Sequence, residues 1–101
     1  MLFRSIFAWL RARVYLADGL RDSALAMMES AVSMNPNLLP MRHHQVKLQL
    51  QSGALDAAEA TLDELASLRG DERHRLEIKE LRRRLKADRA RRLKVKLFQH
   101  P

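Results

Sequence analysis

Histidines and carboxylates are the side chains of this sequence with the chemistry to hold a metal ion or transfer a proton. The chain has four His and no Cys. His43 and His44 are adjacent, so on a helix their side chains point about 100° apart and do not form the i,i+4 pair that chelates one metal. We therefore expect His43 and His44 to be surface histidines rather than metal ligands. The remaining two are His74 and His100.

The acidic side chains also lack the pattern of a catalytic site. Glu59, Asp63 and Glu64 follow one another at helical spacing, which is typical of a solvated helix face. No glycine-rich phosphate loop, nucleophile elbow or HExxH motif occurs in the sequence. We expect a protein that is not an enzyme, with no catalytic residue, no metal and no cofactor.

Cationic side chains are the clearest anomaly. The formal net charge is +7, and the whole excess lies in the last 31 residues, because residues 1–70 carry equal numbers of basic and acidic side chains. Nucleic-acid phosphate, an anionic membrane surface and an acidic protein are the three partners that such a segment fits, and a solvated tail that only aids solubility is the fourth interpretation. The expected anion-binding residues are Arg82, Arg83, Arg84, Lys86, Arg89, Arg91, Arg92, Lys94 and Lys96.

Five helices must position these side chains. Apolar residues recur at steps of three and four, which predicts helices over residues 2–17, 21–34, 38–51, 55–68 and 72–92. Gly19, Gly53, Gly70 and the segment 35–37 separate them, since Gly and Pro end helices. The expected apolar face of the first helix consists of Leu2, Phe3, Ile6, Phe7, Leu10, Val14 and Tyr15.

The last helix changes character at its middle. Its apolar stripe, Ile78, Leu81 and Leu85, stops there, and the next seven residues are almost entirely polar. We therefore divide the chain into a helical domain over residues 1–85 and a basic tail over residues 86–101. Residues 93–97 alternate apolar and Lys side chains with the two-residue period of a strand. We expect a disordered end here, with an extended tail or a strand paired with a partner edge as the alternatives.

An internal repeat organises the first four helices. Gly19 and Gly53 are 34 positions apart, and Ala24 and Ala58 have the same separation. With Tyr15 in its first helix, this recurring helix–turn–helix unit resembles the tetratricopeptide repeat (TPR) family over about residues 5–72. The resemblance implies an all-α fold: two TPR-like hairpins in a right-handed α–α superhelix, followed by a long basic C-terminal helix that covers the second hairpin.

The resemblance also implies a peptide groove. In that family the first helices of the units line a concave surface, and the family's carboxylate clamp places Asn with Lys and Arg there. This sequence has no Asn at those positions, so that specificity does not transfer. Arg13 and Lys47 are one repeat length apart, and stacked repeats would place these two cations side by side to receive a carboxylate. The expected groove residues are Trp9, Arg13, Leu16, His43, Lys47 and Leu50.

These features predict an interaction protein. The leading hypothesis is a non-enzymatic adaptor or scaffold that holds a protein or peptide in its concave face and presents the cationic helix to an anionic partner. The alternative is a nucleic-acid-associated protein that binds RNA or DNA through that helix. Phe3, Phe7 and Trp9 have no repeat to cover them, so we also expect a homodimer through the end formed by the first helix. The longest apolar run is only five residues, and we expect a cytoplasmic protein.

Overall fold

Five α-helices make up the secondary structure. A computed structural model describes residues 2–99, apart from the side chains of Leu2 and Gln99, so His100 lies outside it. No strand occurs within that range, which confirms the predicted all-α class. The helices are α1 (Leu2–Ala17), α2 (Arg21–Met34), α3 (Leu39–Gln51), α4 (Leu55–Ala66) and α5 (Glu72–Gln99).

Most helix ends lie where the sequence predicts them. α1 and α2 have the predicted bounds, and α3 begins one residue later than predicted, at Leu39. α4 ends at Ala66 rather than at residue 68. Both the backbone N–H and the hydroxyl of Ser67 donate to the Glu64 carbonyl, at 3.2 and 2.7 Å, and this tight turn ends the helix early.

The prediction for residues 93–97 is wrong. α5 continues through this segment to Gln99, so the Leu-Lys-Val-Lys-Leu segment is neither extended nor a strand. Leu and Lys are good helix formers, and no Gly or Pro interrupts the chain after Glu72 within the described residues. Adding residues to an existing helix costs far less than nucleating a new element, so local alternation does not override the continuing helix.

Two glycine turns repeat the same geometry at equivalent positions of the two repeat units. Gly19 and Gly53 both have φ +79°, the left-handed conformation that glycine adopts without a Cβ clash. In the first turn the Leu20 N–H donates to the Tyr15 carbonyl at 2.9 Å, and in the second the Ala54 N–H donates to the Gln49 carbonyl at 2.9 Å. These six-to-one bonds are Schellman motifs, so each predicted glycine ends its helix in the predicted way.

The chain divides into two compact units, Met1–Leu48 and Gln49–Pro101. In the first unit α1 and α2 pack against each other. Small side chains permit this close approach, because an Ala at a helix crossing leaves room for the opposite backbone. The buried core of this unit consists of Ala8, Ala12, Ala24, Met28, Ala31, Met41 and Leu48.

The predicted apolar face of α1 needs correction. Ser5, Ala8 and Ala12 form the buried face of the helix, whereas Phe3 and Phe7 are exposed. Leu10 and Val14 are also exposed, at 48% and 58%. α1 therefore has two apolar faces, one of small residues against α2 and one of large residues in solvent. The large residues dominated the sequence pattern, but close packing against α2 selects the small ones.

In the second unit α4 packs against α5. Both helices bury side chains at alternating steps of three and four, which gives each a continuous stripe on one face. The α5 stripe ends at Leu85, as predicted, although the helix itself continues to Gln99. The buried residues are Leu55, Ala58, Leu62 and Leu65 on α4, and His74, Ile78, Leu81 and Leu85 on α5.

The N-terminus of α5 is held by two polar contacts. The Asp71 carboxylate accepts a hydrogen bond from the His74 backbone N–H at 3.0 Å, so Asp71 caps the helix. The buried His74 ring donates from Nε2 to the Leu65 carbonyl, at 3.1 Å. A carbonyl only accepts, so this contact requires the proton on Nε2 and ties the start of α5 to the end of α4.

Candidate functional site

The indole of Trp9 and the imidazole of His44 form the centre of a candidate site in the first unit. Trp9 lies on α1 and His44 on α3, and their rings meet edge to face with centroids 5.3 Å apart and planes at 63°. Both side chains are half-buried. The Trp9 Nε1–H is buried and has no acceptor among the described residues, so packing alone holds the ring.

Two cations act on this ring pair. Arg13 follows Trp9 by four residues on α1, and Lys47 follows His44 by three on α3, so each cation shares a helix face with a ring. Burial lowers the pKa of His44 below its ordinary value, and the positive charges of Arg13 and Lys47 lower it further. The face formed by Trp9, Arg13, His44 and Lys47, called the tryptophan face below, therefore concentrates positive potential around a neutral imidazole.

The structure places the other predicted groove residues elsewhere. Leu16 is half-buried and packs against the core of the first unit. His43 is buried, at 9% exposure, so the expectation of a surface histidine there is wrong. Leu50 is also buried, and it belongs to the second unit.

His44 is the site residue that sequence reasoning missed. The repeat spacing matches Trp9 to His43, but the ring that meets Trp9 is the next one along α3. Successive side chains on a helix point about 100° apart, so an alignment that is wrong by one position assigns a buried residue to the surface. The signal in the sequence was the i,i+3 spacing of His44 and Lys47, which places both on one helix face.

The predicted anion-binding residues of α5 are mostly engaged within the second unit. Arg89 donates hydrogen bonds to Asp56 at 3.0 Å and to Glu59 at 2.6 Å. Both bonds raise the pKa of the Arg89 guanidinium, and the bond to Asp56 has the larger effect. Arg82 pairs with Asp63 at 3.0 Å. Glu59, Asp63 and Glu64 are exposed, as predicted for a solvated helix face, but Glu59 and Asp63 also pair with arginines of α5.

Two further arginines of α5 pair with carboxylates of the same helix. Arg83 binds Glu80 through two nitrogens, and this hydrogen bonding lowers the pKa of the Glu80 carboxyl. Arg91 pairs with Asp88. Both pairs have i,i+3 spacing, and their exposure makes each a small contribution to stability.

Three lysines of α5 remain available for ion pairs with other partners. Lys86, Lys94 and Lys96 are exposed and make no ion pair with any described residue. Arg84 is half-buried and lies close enough to Glu80 to lower the pKa of that carboxyl. The cationic surface of α5 is therefore smaller than the sequence suggests.

Two other kinds of site are absent from residues 2–99. No group of three or more His, Asp or Glu side chains in this part of the chain comes together as a metal site would require. Over the same residues, none of the helices combines the length and the apolarity that crossing a membrane demands.

Comparison with known proteins identifies the fold family. A family model described as tetratricopeptide repeat matches residues 15–85, well over half of the chain. No curated protein and no solved structure matches the chain. The family match includes the second helix–turn–helix unit and α5 as far as Leu85, where its buried stripe ends, and members of this family are in general protein-interaction modules. The repeated glycine turns, the alanine-lined helix crossing and this match together show that the chain belongs to the tetratricopeptide repeat family.

Proposed function

We propose that the protein is a non-enzymatic adaptor that binds an acidic peptide segment of another protein on the tryptophan face. The observation that carries this proposal is the edge-to-face contact of the half-buried Trp9 and His44, whose imidazole feels the positive charges of Arg13 and Lys47. The face lies on the first helices of the two repeat units, the surface that the family uses to hold peptides.

The chemistry of the face suits a carboxylate next to an apolar side chain. Arg13 and Lys47 supply charge, and hydrogen bonds between ionised partners are about twice as strong as neutral ones. A bound carboxylate would also offset the positive potential at His44 and favour proton uptake by the imidazole. Trp9 is only half-buried, so the exposed part of its indole can pack on an apolar residue of the peptide.

The exposed lysines of α5 form the proposed second binding element. Lys86, Lys94 and Lys96 make no ion pair with a described residue, and this observation supports an anionic partner at the end of α5. RNA or DNA remains the alternative partner. The aromatic interleaving that favours stacking on bases is limited to Phe98, which is 90% exposed.

Fluorescence anisotropy with two labelled peptides tests the proposal. One peptide carries Leu followed by three Glu residues and a free C-terminus, and its match carries Gln in place of each Glu and a C-terminal amide. We expect the acidic peptide to bind at least about tenfold more tightly at low salt, since each tenfold step corresponds to about 1.4 kcal/mol. Equal affinities would show that the face does not recognise carboxylates.

A matched pair of charge variants locates the site. Arg13→Glu with Lys47→Glu reverses both cations of the tryptophan face, and Arg21→Glu with Lys79→Glu makes the same change in net charge at exposed residues elsewhere. The first variant should lose binding of the acidic peptide, whereas the second should retain most of it. Equal losses would assign the effect to net charge rather than to this face, and circular dichroism verifies that both variants remain helical.

A further inference from the structure

α1 presents a second apolar surface that the tryptophan face does not use. Phe3, Phe7, Leu10 and Val14 are exposed by 74%, 66%, 48% and 58%. Their steps along the sequence are four, three and four residues, so they form one continuous stripe, called the phenylalanine stripe below. At 100° per residue, the stripe lies roughly 150° around the helix from the buried face of Ala8 and Ala12.

The shape of the phenylalanine stripe selects a helix as its occupant. At 100° per residue the four side chains span only about 60° of the helix circumference. A strict stripe of this kind is the narrow seam of a coiled coil, whereas a helix that lies on a globular core or in a membrane surface has an apolar face of at least about 100°. The steps of four, three and four are those of the a and d positions in a heptad.

Charge defines the chemistry of that occupant. Arg4 and Arg11 each follow a stripe residue by one position, and they are seven residues apart, so both flank the seam on the same side. Both are exposed, and neither pairs with a carboxylate among the described residues. α1 has no Asp or Glu between Leu2 and Ala17.

A second copy of α1 is a poor match for this seam. Because α1 carries three Arg and no carboxylate, a second α1 offers no anion to Arg4 or Arg11 in either orientation. In an antiparallel pair, equivalent flanking positions face one another, so Arg4 and Arg11 of the two copies would converge. Like charges placed opposite each other weaken the wrong pairing and favour a partner of opposite charge.

We propose that the phenylalanine stripe binds an amphipathic helix of another protein that carries apolar residues at heptad a and d positions and carboxylates on the flank facing Arg4 and Arg11. Phe3 and Phe7 supply the large aromatic contacts, while Leu10 and Val14 complete the seam. This surface lies on the side of α1 away from its buried face, and the proposal does not depend on a peptide at the tryptophan face.

Two designed helical peptides of three heptads test the proposal. Both carry Leu at a and d, one has Glu at every e and g position, and the other has Lys there. Like charges keep each peptide from pairing with itself. With the full chain at low salt, fluorescence anisotropy should show the Glu peptide binding at least about tenfold more tightly than the Lys peptide. A tenfold difference in affinity is about what one close charge pair contributes to binding.

Variants of the stripe and its flank separate this surface from others. Phe7→Ser with Leu10→Ser should abolish binding of the Glu peptide, whereas Leu76→Ser with Leu93→Ser, which removes exposed apolar side chains of α5, should leave it unchanged. Arg4→Glu with Arg11→Glu should reverse the preference, so that the Lys peptide binds better. Lys47→Glu changes the tryptophan face on α3 and leaves α1 unaltered, so it should keep the preference for the Glu peptide, and failure of one proposal is distinct from failure of the other.

Several results would overturn the inference. Equal affinity for the Glu and Lys peptides, binding of neither, or an unchanged preference after charge reversal at Arg4 and Arg11 would each reject an acidic helix. A sedimentation profile of a dimer that Phe7→Ser with Leu10→Ser converts to a monomer would show a second copy on the stripe instead. Loss of binding to anionic phosphatidylserine vesicles in that same variant, with no binding of the Glu peptide, would assign the stripe to a lipid surface.

Discussion

Arg92 donates a hydrogen bond from Nη2 to the carbonyl oxygen of Gly53 at 2.8 Å, although 39 residues separate them in the chain. The contact fixes the second glycine turn to α5, beyond the point where the apolar stripe of that helix ends. Gly53 and its counterpart in the first turn, Gly19, have the same left-handed φ, but a Cβ added at Gly19 would meet nothing within 4 Å, whereas one added at Gly53 would meet the Arg92 side chain. The second turn is therefore tied to α5 through its backbone carbonyl.

Gly53→Ala should destabilise the protein more than Gly19→Ala. Both substitutions place a Cβ at φ +79°, which costs about 1 kcal/mol for an L residue. At Gly53 the added Cβ also collides with the Arg92 guanidinium, so that side chain must leave the Gly53 carbonyl. Chemical denaturation of the two variants measures the difference, and equal losses would show that the Arg92 contact contributes nothing.

Ala24→Leu and Ala58→Leu should each destabilise the fold by roughly 1–3 kcal/mol, because extra volume in a packed interior forces neighbouring groups apart. Both alanines are fully buried. Ala26→Leu and Ala60→Leu, at exposed positions of the same helices, are the matched controls and should leave the free energy of unfolding nearly unchanged. Thermal melts that show no difference between the buried and exposed pairs would contradict the packing described for both units.

The stability of the protein should depend on the protonation of His44. Burial, Arg13 and Lys47 lower the pKa of His44 in the folded chain, whereas the unfolded chain keeps the ordinary value of 6.5. The unfolded state therefore binds more protons between these two values, and the stabilisation by the neutral imidazole is present above pH 6.5 and lost as the pH falls toward the folded-state pKa.

His44→Gln isolates this contribution from that of the other histidines. As the pH is lowered from 7.5 to 5, the free energy of unfolding of the original chain should fall relative to that of the variant. A difference that stays constant over this interval would show that His44 titrates alike in both states. Binding of the acidic peptide should strengthen over the same interval in the original chain and not in the variant, because a bound carboxylate favours the protonated imidazole.

Shortening α5 should separate its structural residues from its anion-binding ones. A chain that ends at residue 92 keeps the contacts of Arg89 and Arg92 and should melt like the full chain. A chain that ends at residue 85 loses the Arg89 pairs with Asp56 and Glu59, and we expect only a small loss of stability because exposed ion pairs contribute little. A lower melting temperature for the chain that ends at residue 92 would show that residues 93–101 stabilise the fold.

Polyanion binding should fall in steps over the same two truncations. Ending at residue 92 removes Lys94 and Lys96 and leaves a net charge of +5, whereas ending at residue 85 removes six cations and one carboxylate and leaves +2. Each phosphate contact contributes through counterion release, so affinity for a model RNA and its dependence on salt should both decrease in order. Unchanged affinity in the shorter chain would place anion binding outside the end of α5.

Local structure in this protein follows from the order of its residues alone. Apolar spacing and the conformational freedom of glycine depend only on neighbouring residues, so the five helices, the glycine turns at Gly19 and Gly53, and the Asp71 cap were all predictable. The repeat length was likewise visible in the positions of Ala24 and Ala58. The helical state of residues 93–97 follows from the helix that precedes them, whereas their own five-residue alternation suggests a strand.

Which side chains meet depends instead on how the helices pack. Whether His43 or His44 faces Trp9 depends on the rotation of α3, and one residue along a helix turns a side chain by about 100°. The pairing of Arg89 with Asp56 and Glu59 depends on how α5 lies along α4, since these residues are distant in the chain. Charge and apolarity are properties of single residues, but their exposure and pairing follow from packing between helices, which the linear pattern does not encode.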